Sequence, residues 1–289
     1  MERQALNGWI ERWQARLLWA ATLLVAMLVL AITLVLAVGA TRFLQSRGWR
    51  LGVLLGANWN PLAGHFEIGL FIVDTIIVTA LAMAMTLPFG LGVAVFGAYV
   101  ASSWERTALR WLLTVLAAVP SVAMGWWGLA VVVPGLRRIG GGPGFSLLAA
   151  GAVLAVMLLP TFGLLALEVL DKVPEDWHQA SLALGASEDQ NLLQMALRVS
   201  LPGLKTAFLT AVARAMGETV AVQMVIGGAV YGFHGMLGPG ATLTTQILTD
   251  MAILPLGHPA HGVLDLMAVI LLAGLTLLTI WAQRGDERP

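Results

Sequence analysis

The sequence predicts an all-α membrane protein with six transmembrane helices, and three observations carry that prediction. Of 289 residues, 58% are hydrophobic and only 11% charged, whereas a soluble globular domain carries about 25% charged residues. Apolar stretches long enough to cross a hydrocarbon layer, which takes about twenty helical residues, fall near 17–40, 68–101, 111–133, 146–170, 204–230 and 263–282. The segments between them are rich in glycine, proline and charge, as turns at a membrane surface are. Formal net charge is zero, from sixteen basic and sixteen acidic residues, so no overall field recruits nucleic acid. Cysteine is absent, which excludes disulfide frameworks, thiolate nucleophiles and cysteine-based metal sites.

The first span follows Arg3, Arg12 and Arg16 and ends in Ala37-Val38-Gly39-Ala40. Those are the flanks of a secretory signal, but the apolar run exceeds the usual h-region of roughly 7–15 residues and reads as a retained anchor helix. The second, at about 34 residues, would make roughly 50 Å of straight helix. Either Pro88, with Gly90 and Gly92, kinks it, or it runs tilted past the membrane. Trp9, Trp13, Trp19, Trp49, Trp59, Trp104, Trp111, Trp177 and Trp281 lie near span ends and are read as interfacial anchors. The connections 134–145 and 231–262, with Gly140-Gly141-Gly142-Pro143-Gly144 and with Gly235, Gly238, Pro239 and Gly240, read as irregular loops.

Six spans put both termini on one side. That side holds Arg3, Arg12, Arg16, Arg106, Arg110, Lys172, Arg198, Lys205, Arg284 and Arg288; the other holds Arg42, Arg47, Arg50, Arg137 and Arg138. The richer side marks the cytoplasm. The chain thus divides into 1–66 (N-terminal segment, anchor helix and first external loop), 67–282 (transmembrane domain) and 283–289 (cytoplasmic tail).

The longest cytoplasmic connection is 171–203, "DKVPEDWHQASLALGASEDQNLLQMALRVSLPG". Pro174 followed by Glu175 and Asp176 starts a helix, because proline suits the first turn and carboxylates favour the positive end of the dipole. Gly185 interrupts, Ser187 caps a second helix with Glu188 and Asp189 in its first turn, and Leu201-Pro202 ends it. The expectation is two short helices with a glycine joint. A connection this long usually does more than connect.

The stretch "WHQASLALGAS", followed by "VSLP", resembles the signature loop of ABC importer permeases, in which Glu-Ala-Ala is followed by Gly and later by Leu-Pro. The family's Glu falls on Gln179, its two Ala on Ala180 and Ser181, and its Gly on Gly185, with Ala186 and Ser187 following. The distance from Gly185 to Leu201-Pro202 is about four residues longer than the family pattern, close to one helical turn. "VPSVAMGWWGLAVVVPGL" from Val119, "AVLAVMLLPTFGLLALEVLDKVPEDW" from Ala152 and "ARAMGETVAVQMVIGG" from Ala213 are similar to PstC-type permeases of phosphate importers. The resemblance covers roughly 68–282. It implies a type I importer permease fold in a bacterial inner membrane, with coupling helices at 171–203 that dock on a separate ATPase. It also implies a homologous second permease subunit, a pair of ATPase chains that bind ATP and Mg, an external phosphate-binding protein, and no cofactor on this chain.

Arg214 and Glu218 stand inside the fifth apolar run, where either charge costs roughly 2.5–3.5 kcal/mol on insertion scales. Four residues apart, they share one face of an unbroken helix, yet a pair of that kind contributes only about 0.2–0.5 kcal/mol in water. Two readings stand: a buried ion pair that fixes the packing of the span, or two charges facing a polar pathway. In the second, the planar guanidinium fork of Arg214 meets an oxyanion, and Glu218 orients it and keeps binding from becoming too tight. Gly217 and Gly227-Gly228 would permit close helix approach. Thr219 and Asp74 join Arg214 and Glu218 as candidates for the pathway, although a helix-facing threonine more often bonds its own backbone. Asp74, in "LFIVDTIIVTALAM", either pairs with Arg214 or sits near the outer interface. Glu168, Asp171 and Asp265 fall at span ends and are expected to be solvated.

Lys172 and Lys205 are the only lysines, and neither lies in a phosphate-binding glycine-rich loop. The chain therefore does not hold ATP in the P-loop manner. A self-contained secondary transporter or channel would show internal repeats, and none is evident. Enzyme chemistry lacks a nucleophile elbow or a His-Glu-x-x-His pair, and His258-Pro259-Ala260-His261 is a weak metal candidate. Another oxyanion would satisfy the same guanidinium.

Overall fold

Long runs of Leu, Val and Ala leave the backbone no polar partner but itself, and the protein is helical almost throughout. The structure, a computed structural model, describes residues 2–48, 52–140, 142–187, 190–254, 258 and 260–283, without the side chains of 2–14, 62, 192–194 and 283. Trp49, Arg50, Glu188, Asp189, Pro259, Arg284 and Arg288, which figure in the sequence reading, lie outside the described residues, as do the side chains of Arg3, Trp9, Arg12 and Trp13.

Helix α1 spans Glu2–Ser46, and a short α2 spans Gly52–Leu55. A two-stranded antiparallel ribbon follows, β1 Trp59–Asn60 and β2 His65–Phe66. Then come α3 Gly69–Val95 with a π turn to Val100, α4 Ser103–Ala117, α5 Ser121–Trp127, a π turn 128–132, α6 Val133–Gly140 and α7 Leu147–Leu170. The chain closes with α8 Glu175–Ala183, a π turn Asn191–Ala196, α9 Leu197–Gly217, α10 Val220–Ile226, α11 Leu243–Ile253 and α12 His261–Gln283.

Among the described residues, four unbroken helices are long and apolar enough to cross a membrane: Ala15–Ser46, Gly69–Val100, Leu147–Leu170 and His261–Ala282. The other two expected spans are bent. Ser103–Ala117 meets Ser121–Gly140 at 89°, and Leu197–Gly217 meets Val220–Ile226 at 62°. The first bend falls at Ala118-Val119-Pro120, where proline cannot continue the ladder and instead precedes α5. Pro88, by contrast, lies within a continuous α3, so the second span follows the long-helix alternative. Pro202 likewise sits inside α9 and does not end a short helix. The extra residues between Gly185 and Pro202 include the π turn at Asn191–Ala196 that runs straight into α9.

Two compact units divide the chain, one of residues 1–50 with 254–269 and one of 51–253 with 270–289. In the first, α1 is almost bare along its apolar length from Leu17 to Val35. A Cβ at Gly39 would collide with the Asp265 carboxylate, and one at Gly262 would come within 2.7 Å of Phe43 Cβ. Asp265 is therefore half-buried against a helix backbone and not simply solvated.

The second unit is built on α3 against α7. Val78, Ala82, Leu154, Leu158 and Phe162 are buried between them. Glycines let the two helices close: a Cβ at Gly90 would stand 2.5 Å from Phe162 Cδ1, and one at Gly151 2.7 Å from Leu81 Cβ. The Thr86 hydroxyl donates to Ala82 O at 2.8 Å and reaches Ala155 O across the interface at 3.3 Å. A second close approach joins α5 to α10, where a Cβ at Gly125 would meet Met224 Sδ at 2.7 Å and Ala221 Cα at 3.0 Å. Trp59 is not an interfacial anchor: it is 3% exposed and packs edge-to-face on Phe66 and Phe71, with ring centroids 6.2 and 5.3 Å away. Trp19, Trp104, Trp111, Trp177 and Trp281 are exposed.

Candidate substrate pathway and coupling surface

Arg214 lies in the last turn of α9 and is exposed in the chain. The helix stops at Gly217, Glu218 takes extended backbone with φ −72° and ψ 127°, and Thr219 leads into α10. This break corrects the expected shared face, since residues four apart are neighbours only while the helix continues. The two charges do not pair with each other, whereas Arg106 and Arg110 both pair with Asp171. Each charge is instead placed at the helix end that suits its sign. Arg214 sits among the last carbonyls of α9, and Glu218 precedes the first amides of α10, its Oε1 accepting from the Ala221 N–H at 3.4 Å. Half-buried Thr219 donates its hydroxyl to the Gly217 carbonyl at 3.4 Å, as its expected self-bonding requires.

The glycines near the break shape backbone and do not bring helices together. A Cβ at Gly217 or Gly228 would meet nothing within 4 Å. Gly227 ends α10 in the left-handed region, φ 96°, and packs under Pro239 and Phe145.

Further polar groups converge on the break that the sequence reading did not single out. The Thr244 hydroxyl donates to the Glu218 carbonyl at 3.1 Å. Gln223 Nε2 donates to the Thr249 hydroxyl at 3.2 Å, and Gln223 Oε1 is buried without a hydrogen bond. Their signal was present in "TLTTQILTD", a run too polar for a lipid-facing helix.

Asp74 is 1% exposed on α3 and does not pair with Arg214. Its Oδ2 accepts from the Ala241 N–H at 3.0 Å, while the neighbouring Thr75 hydroxyl accepts from the Leu243 N–H at 3.0 Å. Together they hold the start of α11, and a side chain at Gly240 would collide with the carboxylate. The glycine-rich segment before α11 is pinned from its other edge by α7: the Leu147 and Leu148 amides donate to Gly238 O at 3.2 Å and Met236 O at 2.9 Å. On α11, Asp250 is 7% exposed and accepts from Gln246 Nε2 at 2.7 Å. Burial pushes its carboxyl above the ordinary carboxylate value, opposed by Gln246 and the nearby Trp59 indole. His258 Nδ1 accepts from the Ala260 N–H at 3.2 Å.

The 171–203 connection begins as expected, with Pro174 preceding α8 and Glu175 and Asp176 in its first turn. Gly185, φ 89°, ends it in a Schellman turn: its N–H donates to Leu182 O at 2.9 Å and the Ala186 N–H to Ser181 O at 3.3 Å. Ser187 then forms a reciprocal capping box with Gln190, Gln190 N–H to Ser187 Oγ at 3.2 Å and Ser187 N–H to Gln190 Oε1 at 3.0 Å. Gln179, Ala180, Gly185 and Ser187 are exposed, while Ser181 and Ala186 are half-buried. Trp177 and Leu184, 51% and 90% exposed, border an open groove of about 620 Å³ that Ala180, Ser181, Gly185 and Ala186 also line. Apolar side chains this bare at a turn between helices are a mark of a partner surface.

Known proteins are similar to the chain over most of its length. Residues 86–287 match the family model described as binding-protein-dependent transport system inner membrane component. The chain is 34% identical over 222 residues to the "Probable ABC transporter permease protein YqgH" of Bacillus subtilis, covering 76% of this chain and 72% of the relative. It is 30% identical over 277 residues to the phosphate transport system permease protein PstC of Xylella fastidiosa, covering 86% and 84%. Among solved structures, the MetNI methionine ABC transporter in inward-facing conformations has a chain of like fold, with TM-score 0.57, 22% identity, and 73% and 91% of the two chains covered. An importer permease of this kind works with a separate ATPase and a binding protein, and has no catalytic site or cofactor of its own. The chain belongs to the binding-protein-dependent transport system inner membrane components, and is a multi-pass permease subunit of an ABC importer.

Proposed function

We propose that this permease imports inorganic phosphate, and that Arg214 meets the anion at the break between α9 and α10. The observation that carries the reading is a guanidinium with no carboxylate partner among the described residues, held at a discontinuity in an apolar span. Broken spans are where transporters place substrate, because backbone left free of the helical ladder is tolerated only where protein or a water-filled path satisfies it. The names of the PstC relatives support phosphate. Glu218, Thr219 and the polar edge of α11 line the same break, and Asp74 takes part by fixing α11 in place.

Both termini and the 171–203 connection face the cytoplasm, by the excess of Lys and Arg on that side. Gln179, Ala180, Ser181, Gly185, Ala186 and Ser187 dock on the ATPase, whose ATP and Mg supply the work. A second, homologous permease completes the pathway, and an external phosphate-binding protein delivers the anion. Closure of the ATPase pair draws the coupling helices together and opens the pathway outward; hydrolysis resets it.

Arg214→Lys in the reconstituted importer tests the reading. Lysine keeps the charge and loses the bidentate fork, so phosphate uptake falls about tenfold, equivalent to about 1.4 kcal/mol of lost recognition. Uptake at the unsubstituted rate overturns the role of Arg214. Uptake of sulfate in preference to phosphate assigns the same site to another oxyanion.

A further inference from the structure

Asp171 closes α7 three residues before the proline that precedes α8. It is not solvated: its side chain is 14% exposed, and it engages two guanidiniums at once. Oδ1 takes Arg106 Nη2 and Oδ2 takes Arg110 Nη2. The two arginines stand four apart on α4, hence on one face, and α4 is anchored at its start by a capping box in which Glu105 accepts from the Ser102 N–H at 2.8 Å. A carboxylate using both oxygens on two arginines is fixed in direction as well as position.

A second link leaves α8 itself, at His178. Asn191 is fully buried at the start of the π turn that enters α9, and its Nδ2 reaches His178 Nδ1 and, at 3.5 Å, the His178 carbonyl. A cleft of about 410 Å³ separates the two links, bounded by Tyr99, Glu175 and Met195 among others. So the junction between α7 and α8 is tied to α4 through Asp171, and α8 itself to the lead of α9 through His178, and these two partners begin the two bent spans. The far halves, α5 and α10, are packed on each other at Gly125 and Ala221.

We propose that Asp171, at the junction of α7 and α8, is a positioning residue for transport: with Arg106 and Arg110 it passes movement at the entry to α8 on to α4, while His178 and Asn191 pass movement of α8 itself to α9. Each bent span is then a crank driven at its near end, and their far halves move as one body. The break at Gly217–Thr219, where Arg214 and Glu218 sit, is the elbow of the second crank. The proposal rests on reading α8 as the ATPase-docking helix.

The test uses the complete importer in proteoliposomes, with ATP hydrolysis and phosphate uptake measured on the same preparation. Asp171→Asn keeps the size of the side chain and removes the charge that holds both arginines. Hydrolysis continues while uptake falls, and ATP consumed per phosphate imported rises at least about fivefold, the low end of typical coupling effects. Reversing the cluster, Asp171→Arg with Arg106→Asp and Arg110→Asp, restores the ratio to within about twofold. Proportional loss of uptake and hydrolysis, or no change in either, overturns the proposal. If Asp171→Asn does not assemble, Arg106→Gln with Arg110→Gln is read the same way, and failure of both to assemble assigns the cluster to folding and also overturns it. Failure of the underlying reading looks different. A deletion within 177–190 that leaves hydrolysis and uptake intact in the otherwise native importer removes the coupling role of α8 itself, whatever Asp171 does.

Discussion

The α3–α7 pair and the α9–α10 span are both apolar, both long enough to cross a membrane, and both interrupted in sequence by glycine, yet they behave oppositely. In the first, glycines admit the neighbouring helix to within contact of the backbone, and the Thr86 hydroxyl finds Ala155 across the interface. Two prolines, Pro88 and Pro160, are absorbed without ending either helix. In the second, Gly217 faces open space, the ladder stops, and the polar side chains gather at the stop. The difference shows that glycine in a membrane helix is not one signal. Against a partner it is a packing device; beside Glu218 and Thr219 it is a terminus.

The comparison can be broken most visibly at the charge. Arg214→Ala removes at least two charge-assisted hydrogen bonds to an oxyanion, about 3 kcal/mol in all, and lowers phosphate uptake about 100-fold. Because Arg214 is exposed in the chain, the assembled complex is recovered in normal yield by size-exclusion chromatography.

A smaller effect separates the two kinds of glycine. Gly125→Leu pushes a side chain into Met224 and the backbone of Ala221, which costs about 1–3 kcal/mol by overpacking. Gly217→Ala meets nothing within 4 Å and changes stability by less than about 0.5 kcal/mol. Thermal unfolding of the purified complex in detergent distinguishes them, and equal shifts for both would erase the contrast drawn above.

The smallest effect concerns Asp250, in the polar region that supports the break. Burial raises its carboxyl above the ordinary value, so ionisation works against the folded state. That penalty is absent at pH below the ordinary carboxylate range, where the group is protonated folded or unfolded, and is complete above the raised value. Asp250→Asn keeps an acceptor for Gln246 and therefore stabilises the complex at neutral pH, a gain that disappears as the pH falls through the carboxylate range. Thermal shifts measured from pH 4 to pH 8 read the sign directly; a loss of stability at neutral pH would mean that the charge itself is needed.

Hydropathy alone located all six apolar stretches, because the cost of unsatisfied backbone in hydrocarbon leaves helix as the only conformation for such runs. It did not locate the two bends. Pro120 resembles Pro88 and Pro202 in sequence, and only packing decides which of them lies inside a helix. The break at Gly217 was written as Gly-Glu-Thr, a helix ender followed by a capping residue, but a run with apolar residues on either side reads as continuous. Arg214 and Glu218 were legible as anomalies because charge in an apolar run is costly. Their placement at opposite helix ends was not legible, since it depends on that break. Asp171 was missed for another reason: a carboxylate at a span end is ordinarily solvated, and its partners lie more than sixty residues away on α4.

The central claim is that the α9–α10 break lies on a water-accessible route shared with the transported anion, and cysteine labelling tests it most directly. The chain has no cysteine, so Gly217→Cys introduces a single thiol at an open position beside Arg214 without crowding a neighbour. The account predicts that a membrane-impermeant thiol reagent labels it in the importer held with its pathway open to one side. Saturating phosphate slows that labelling several-fold, and the protection is lost when Arg214→Ala is added. A thiol that stays unlabelled in both the inward-open and outward-open states, or that labels at the same rate with and without phosphate, would contradict it.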